Sequence, residues 1–162
     1  LGDVYKRQTH SNSDWESVLA LVRDVYERLP FNQLLGLQVD HLEAERAGFR
    51  FARRDDLVGN FIHGILHGGV ISAVLDTTGG MMASVSALSR MLGSPPEAAA
   101  ECFSRIGTID MRVDYLRPGR GEHFRSTAAI MRTGRSVAVT RMELTNDDGI
   151  LIAVGTGAYR IG

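Results

Sequence analysis

One stretch of this chain restricts its folding more than any other. From Leu57 to Ser89 the only formally charged side chain is Asp76. After Gly69 the run VISAVLDTTGGMMASVSALS is apolar or small on every side of a helical projection. A helix without a polar face has to be covered all round, so the rest of the chain must wrap it. The run is interrupted by glycines and by Asp76, which argues against a membrane span of about 20 charge-poor residues.

The flanking segments supply the wrapping. Asp14 is placed to cap a helix through Trp15, Val18, Leu19, Val22, Val25, Tyr26 and Leu29, apolar at intervals of three and four, and Pro30 stops it. FNQLLG reads as a short helical turn. Leu37–Leu42 and Ala47–Ala52 read as two strands joined by a charged hairpin, and 55–66 reads as loop. Beyond a connection with a short helix from Pro96, the period changes to two. Thr108–Leu116, Glu122–Met131, Ser136–Thr145 and Ile150–Ile161 are four candidate strands with turn residues between them. Their short links predict a four-stranded antiparallel meander. The expected class is α+β, a curved antiparallel sheet around one long central helix, with an extra N-terminal helix.

With 162 residues and 44% apolar content, the chain has the material for one core. Residues 1–13 are expected to be a disordered or artefactual leader without the apolar core of a signal peptide, and 14–162 a single domain. A net charge of −1 argues against nucleic acid or an anionic membrane as the principal partner. The one cysteine, Cys102, allows no internal disulfide and no multi-cysteine zinc site, and fits a cytoplasmic location. AAECFSR carries no cysteine-hydrolase signature, so Cys102 is read as structural.

Two features of the central segment carry chemistry. A carboxylate inside a buried helix costs several kcal/mol unless it is paired or hydrogen-bonded, and no basic residue lies within helical reach of Asp76. Its bland explanation is hydrogen bonding to Thr77 or Ser72; its functional one is an acid or base. His67-Gly68-Gly69 falls where the helix begins, and the first N–H groups of a helix have no internal partners. Glycine there lets a substrate approach the backbone, and such amides can hold an oxyanion. Gly68 and Asp76 are eight residues apart, roughly 12 Å along a helix rising about 1.5 Å per residue. One carbonyl cannot meet both ends of that span. Two antiparallel copies related by a twofold axis would bring Gly68 of one beside Asp76 of the other. Gly79 and Gly80 offer close helix approach or room for an acyl chain.

The segments GNFIHGILHGGVISAVLDTTGG and TIDMRVDYLRPG resemble the PaaI-like hotdog thioesterases of the 4HBT-type superfamily, and most of all their YigI-like acyl-CoA thioesterases. The resemblance runs from about Phe31 to Tyr159. It implies hydrolysis of an acyl-CoA, of medium or long chain, by a homodimer or homotetramer with interfacial sites and no metal or organic cofactor. Asp76 matches the catalytic acid, which attacks the carbonyl or activates water. Gly68 matches the residue whose N–H polarises that carbonyl. Thr108 matches a hydroxyl position that orients nucleophile or water. Asn60 matches a polar group near the thioester, although it lies seven residues before His67 where related sequences often have six. His63 falls within that extra spacing and is a candidate to line the same site, as is Gly69.

Three readings of His67 stand. It holds the loop and the helix start, it acts as the base of a dehydratase-like hotdog enzyme, or it pairs with His63 on a metal that lacks an evident third ligand. Arginines crowd the strand-rich part of the chain. Arg117 and Arg120 beside Pro118, and Arg132 and Arg135 around Gly134, sit at turns where guanidinium groups would suit CoA phosphates. A hydratase or dehydratase and a non-catalytic acyl-CoA binding module are the rival functions.

Overall fold

The computed structural model describes residues 12–162. Helix α1 spans Asn12–Arg28 and α2 spans Pro30–Leu35. Strands β1 (Gln38–Leu42) and β2 (Arg46–Ala52) follow, and then a short ribbon of β3 (Val58–Asn60) and β4 (Ile65–Leu66). The central helix α3 covers Gly68–Leu88 and α4 covers Pro96–Ser104. The chain closes with β5 (Gly107–Tyr115), β6 (His123–Thr133), β7 (Val137–Asn146) and β8 (Leu151–Arg160). Of the expected leader, residues 1–11 lie outside the described residues, while Asn12 and Ser13 already belong to α1. Asp14 therefore sits in the first turn, where its charge suits the helix dipole, rather than at the cap.

The sheet has six antiparallel strands in the order β1-β2-β6-β7-β8-β5, and α3 packs across it. Only β6-β7-β8 form a meander. The expected pairing of β5 with β6 does not occur; β5 pairs with β8, from Gly107↔Arg160 to Tyr115↔Ala153. Three strand spacings of about 4.8 Å separate β5 from β6, well within the reach of the link 116–122. That link is held down as it crosses: the Leu66 amide donates to the Gly119 carbonyl at 3.0 Å, and the Asn146 amide group donates to the Arg120 carbonyl at 2.9 Å. The residues that look like a hairpin turn are thus a crossover. The ribbon of β3 and β4 was also hidden, because strands of three and two residues leave no readable period.

The covering of α3 is uneven. From Thr78 to Leu88 nearly every residue is buried, with Met81, Met82, Val85 and Leu88 in the main core. Val22 and Tyr26 of α1 cover this half, and the Tyr26 hydroxyl meets Ser84 at 3.0 Å. Towards its N-terminus the helix is only half-covered at Gly68, Val70, Ser72, Ala73, Asp76 and Thr77. By length and composition alone, Gly68–Met91 would pass for a membrane span. Its apolarity is accounted for by the sheet and α1 around it.

Gly79 and Gly80 have a definite use within the chain. A Cβ on Gly79 would overlap the Tyr159 hydroxyl and lie 2.8 Å from Thr140 Oγ1, and one on Gly80 would lie 3.3 Å from the Tyr26 hydroxyl. Both glycines make room for tyrosine rings, not for an acyl chain. A buried amide secures the α1–α2 corner to α3: Asn32 donates to the Tyr26 carbonyl at 2.8 Å and accepts from the Thr77 hydroxyl at 3.1 Å.

Candidate active site

Asp76 lies on the half-covered side of α3. Its Oδ1 accepts from the Thr108 hydroxyl at 2.9 Å, which bridges α3 and β5 across 32 positions. The neighbouring hydroxyls do not satisfy it. Thr77 donates to Asn32, and Ser72 donates back to the Gly69 carbonyl at 3.0 Å. Among the described residues no cation pairs with the carboxylate, and Oδ2 has no hydrogen-bond partner. The Asp76 backbone is tied as well, its carbonyl accepting from the Tyr159 hydroxyl at 3.1 Å. Burial, then the nearby Asp76 charge, raises the Tyr159 phenol well above its usual range. Tyr159 therefore keeps its proton and acts as a fixed donor.

A bulge in β5 makes the Thr108 contact possible. Side chains alternate along a strand, so Thr108 and Tyr115, seven apart, would ordinarily face opposite ways. The register slips between Thr108 and Asp110, which restores Thr108 to the side occupied by Met111 and Val113, the side packed on the core.

The start of α3 leaves one amide unclaimed. His67 is the N-cap, and its Nδ1 accepts from the Gly69 amide at 2.8 Å, which places the ring proton on Nε2. The Val70 and Ile71 amides both donate to the His67 carbonyl, at 3.0 and 3.2 Å. Only the Gly68 N–H has no partner among the described residues, and it stands at the positive end of the helix dipole. His67 thus holds the helix start, and a ring whose Nδ1 is committed in this way is poorly placed as a base through that atom.

Asn60 and His63 belong to the ribbon. Asn60 Oδ1 accepts from the Ile62 and His63 amides at 3.1 and 3.3 Å, so its side chain shapes the turn that exposes Phe61 and Ile62. The ribbon packs against the helix start, since a Cβ on Gly59 would lie 2.7 Å from His67 Cα. Among the described residues no group of three His, Cys, Asp or Glu side chains is arranged to hold a metal ion.

The arginines divide. Arg117 lines a mostly apolar cavity of about 370 Å³ together with Gly68, Ile71, Tyr115 and Pro118, and donates to the Leu151 carbonyl at 3.0 Å. Arg120 stands on the same crossover. Arg132 and Arg135 lie at the other end of the sheet, in the β6–β7 hairpin, where Arg90 just beyond α3 donates to the Gly134 carbonyl at 2.7 Å. Within one chain the structure does not bring that pair to Gly68. Burial raises the Cys102 thiol above its ordinary value, and its sulfur lies 3.8 Å from the Ile161 carbonyl, in keeping with a structural residue.

One residue escaped the sequence reading. Tyr115, the aromatic of DYLRPG, donates its hydroxyl to the Gly68 carbonyl at 2.9 Å. Strand β5 therefore touches α3 at both candidate points, Thr108 at Asp76 and Tyr115 at Gly68. The only sequence signal was its place on the same edge strand as Thr108.

A curved sheet on one long helix, with an acid in mid-helix and a free amide at the helix start, defines the hotdog class of enzyme. The model of the thioesterase superfamily matches residues 63–153. The medium/long-chain acyl-CoA thioesterase YigI of Escherichia coli K12 is 42% identical over 148 residues, covering 91% of this chain and 96% of that one. A crystal structure of a protein from Shewanella oneidensis related to the thioesterase superfamily superposes with a TM-score of 0.89 at 40% identity, covering 94% of this chain and all of that one. The E. coli PaaI protein from the phenylacetic acid degradation operon shares the fold, with a TM-score of 0.72 at 20% identity over 95% and 97% of the two chains. This chain belongs to the thioesterase superfamily, as a thioester hydrolase of hotdog fold.

Proposed function

We propose that this chain hydrolyses medium- to long-chain acyl-CoA to free acid and CoA, at sites assembled from two copies of itself. The observation that carries the chemistry is the pairing of Asp76 with Thr108, on a helix whose first residue, Gly68, keeps an unclaimed amide. Water attacks the thioester carbon and gives its proton to Asp76, oriented by Thr108. The Gly68 N–H receives the charge that develops on the carbonyl oxygen. The C–S bond then breaks, and the CoA thiolate takes the proton back from Asp76. In the covalent variant the Asp76 carboxylate attacks the carbon and expels the CoA thiolate, and water then cleaves the resulting anhydride, its proton ending on the thiolate. Label found in Asp76 after turnover in ¹⁸O-water identifies the covalent route, since only water attack on the Asp76 carbonyl of the anhydride puts label into the protein.

The two-copy site is supported by β5. Among the described residues it is an edge strand of nine residues whose outer side is unpaired and whose Ile109 and Tyr115 are exposed, the kind of edge that pairs with another strand. Two β5 strands paired antiparallel about their midpoints would set Thr108 of one opposite Asp114 of the other, next to Tyr115. Asp76 of one copy would then approach Gly68 of the second, closing the roughly 12 Å gap that one helix leaves. Arg117 and Arg120 are positioned for CoA phosphates beside the Gly68 cavity, while Asn60, His63 and Gly69 border the substrate approach. The chemistry needs no metal or organic cofactor. The acyl-CoA thioesterase relative supports action on small-molecule thioesters, and the single Cys102 fits a cytoplasmic enzyme.

A panel of acyl-CoA lengths with thiol detection, run on wild type and Asp76→Ala, tests the reading. Loss of a positioned acid–base group lowers turnover by about 10²- to 10⁴-fold with folding intact. Full activity in folded Asp76→Ala refutes it.

A further inference from the structure

The two peptide planes on either side of Gly68 are both pinned, and by different elements. The plane between His67 and Gly68 is held through the His67 carbonyl, which accepts from Val70 and Ile71. The plane between Gly68 and Gly69 is held at both ends: its carbonyl accepts from the Tyr115 hydroxyl at 2.9 Å, and its N–H donates to His67 Nδ1 at 2.8 Å. Glycine has the widest backbone freedom of any residue, so its φ and ψ become defined only when both planes are fixed. Of these contacts, the Tyr115 bond alone comes from outside the loop and helix to which Gly68 belongs. It is also an exposed bond, because Tyr115 is 54% accessible and its ring faces Gly68 across the mouth of the 370 Å³ cavity. A bond in that position adds little to the stability of the core.

We propose that Tyr115 is a positioning residue for the oxyanion donor. By bonding the Gly68 carbonyl it anchors the first residue of α3 to β5, and so fixes where the free Gly68 N–H stands relative to the same edge strand that presents Thr108 to Asp76. Donor and acid are thereby set by one strand, so a shift of β5 moves both. The inference rests on the thioesterase reading of Gly68 and Asp76.

The test compares Tyr115→Phe, Tyr115→Ala and Asp76→Ala in steady-state thiol release from an acyl-CoA, with thermal unfolding of each and the Gly68 amide signal in ¹⁵N-labelled protein. Tyr115→Phe keeps the ring and loses only the hydroxyl. Expected are a kcat lower by about three- to tenfold, the range given by one lost hydrogen bond, a KM within about twofold, an unchanged melting temperature and a shifted Gly68 amide resonance. Tyr115→Ala also removes the cavity wall and raises KM. If Tyr115→Phe keeps wild-type kcat while Asp76→Ala is inactive, the positioning role is refuted and the thioesterase reading stands. If Asp76→Ala is itself fully active, the reading beneath the inference has failed.

Discussion

Replacing Gly79 by alanine probes whether the paired glycines of α3 are space for substrate or seats for tyrosines. The added methyl would overlap the Tyr159 hydroxyl and come within 2.8 Å of Tyr159 Cζ and Thr140 Oγ1. Tyr159 is 1% exposed, lies in a packed cluster with Ala83, Ala87 and Ala138, and cannot swing into solvent. Overpacking of this kind costs about 1–3 kcal/mol. Displacing the ring also breaks the bond from its hydroxyl to the Asp76 carbonyl, which contributes about 1 kcal/mol. Against this, alanine gains about 1 kcal/mol over glycine in a helix interior. The net is a loss of about 1–3 kcal/mol, which lowers the melting temperature by roughly 3–10 °C in a domain of this size. Calorimetry on Gly79→Ala, Tyr159→Phe and the double variant reads it. Because the closest overlap is with the hydroxyl, the double variant should recover about 1 kcal/mol relative to additivity, the ring carbon and Thr140 retaining the rest of the crowding. A Gly79→Ala protein as stable as wild type, or strict additivity, would refute the packing role and return Gly79 to the substrate.

Gly68→Ala should behave in the opposite sense. A Cβ there lies 3.5 Å from the Tyr115 ring, an ordinary contact, so stability should hold or rise by up to about 1 kcal/mol; kcat/KM for acyl-CoA should nevertheless fall at least tenfold, because the methyl occupies the approach to the free amide, and a fall in melting temperature instead would show that the glycine serves the turn. Alkaline stability gives a third check. Burial raises the Tyr26 phenol from 10.0 to about 12, so the folded state holds that proton more tightly than the unfolded chain does. The associated stability, on the order of 3 kcal/mol, is full below pH 10 and lost as pH rises from there towards 12. The urea midpoint should fall across that window and fall less steeply in Tyr26→Phe, where the likewise raised Tyr159 phenol still contributes; a wild-type midpoint independent of pH there would contradict it.

What could be read from the residues followed from how strongly each pattern depends on its surroundings. The central helix was evident because a long apolar run with one charge has few alternatives, and its start at Gly68 coincides with His67-Gly68-Gly69. Strands β6, β7 and β8 were legible through their alternation. The place of β5 was not, because strand order depends on tertiary packing and Arg117-Pro118-Gly119 has turn chemistry even in a crossover. For the same reason Asp76 and Gly68 stood out locally, whereas Tyr115 and Asn32 did not. Tyr115 meets its partner 47 positions away and Thr77 meets Asn32 across 45, and no local spacing encodes such contacts.

The insertion of β5 beside β8 has a consequence for the order in which the chain matures. Among the described residues the ladder that seats Thr108 is made with β8, through Thr108↔Tyr159. A nascent chain that has already formed α3 and extruded β5 has nothing to dock that strand against until Leu151–Arg160 has left the ribosome. The contact between Asp76 and Thr108 therefore waits on β8, and a product terminated before that strand would carry both residues without their alignment.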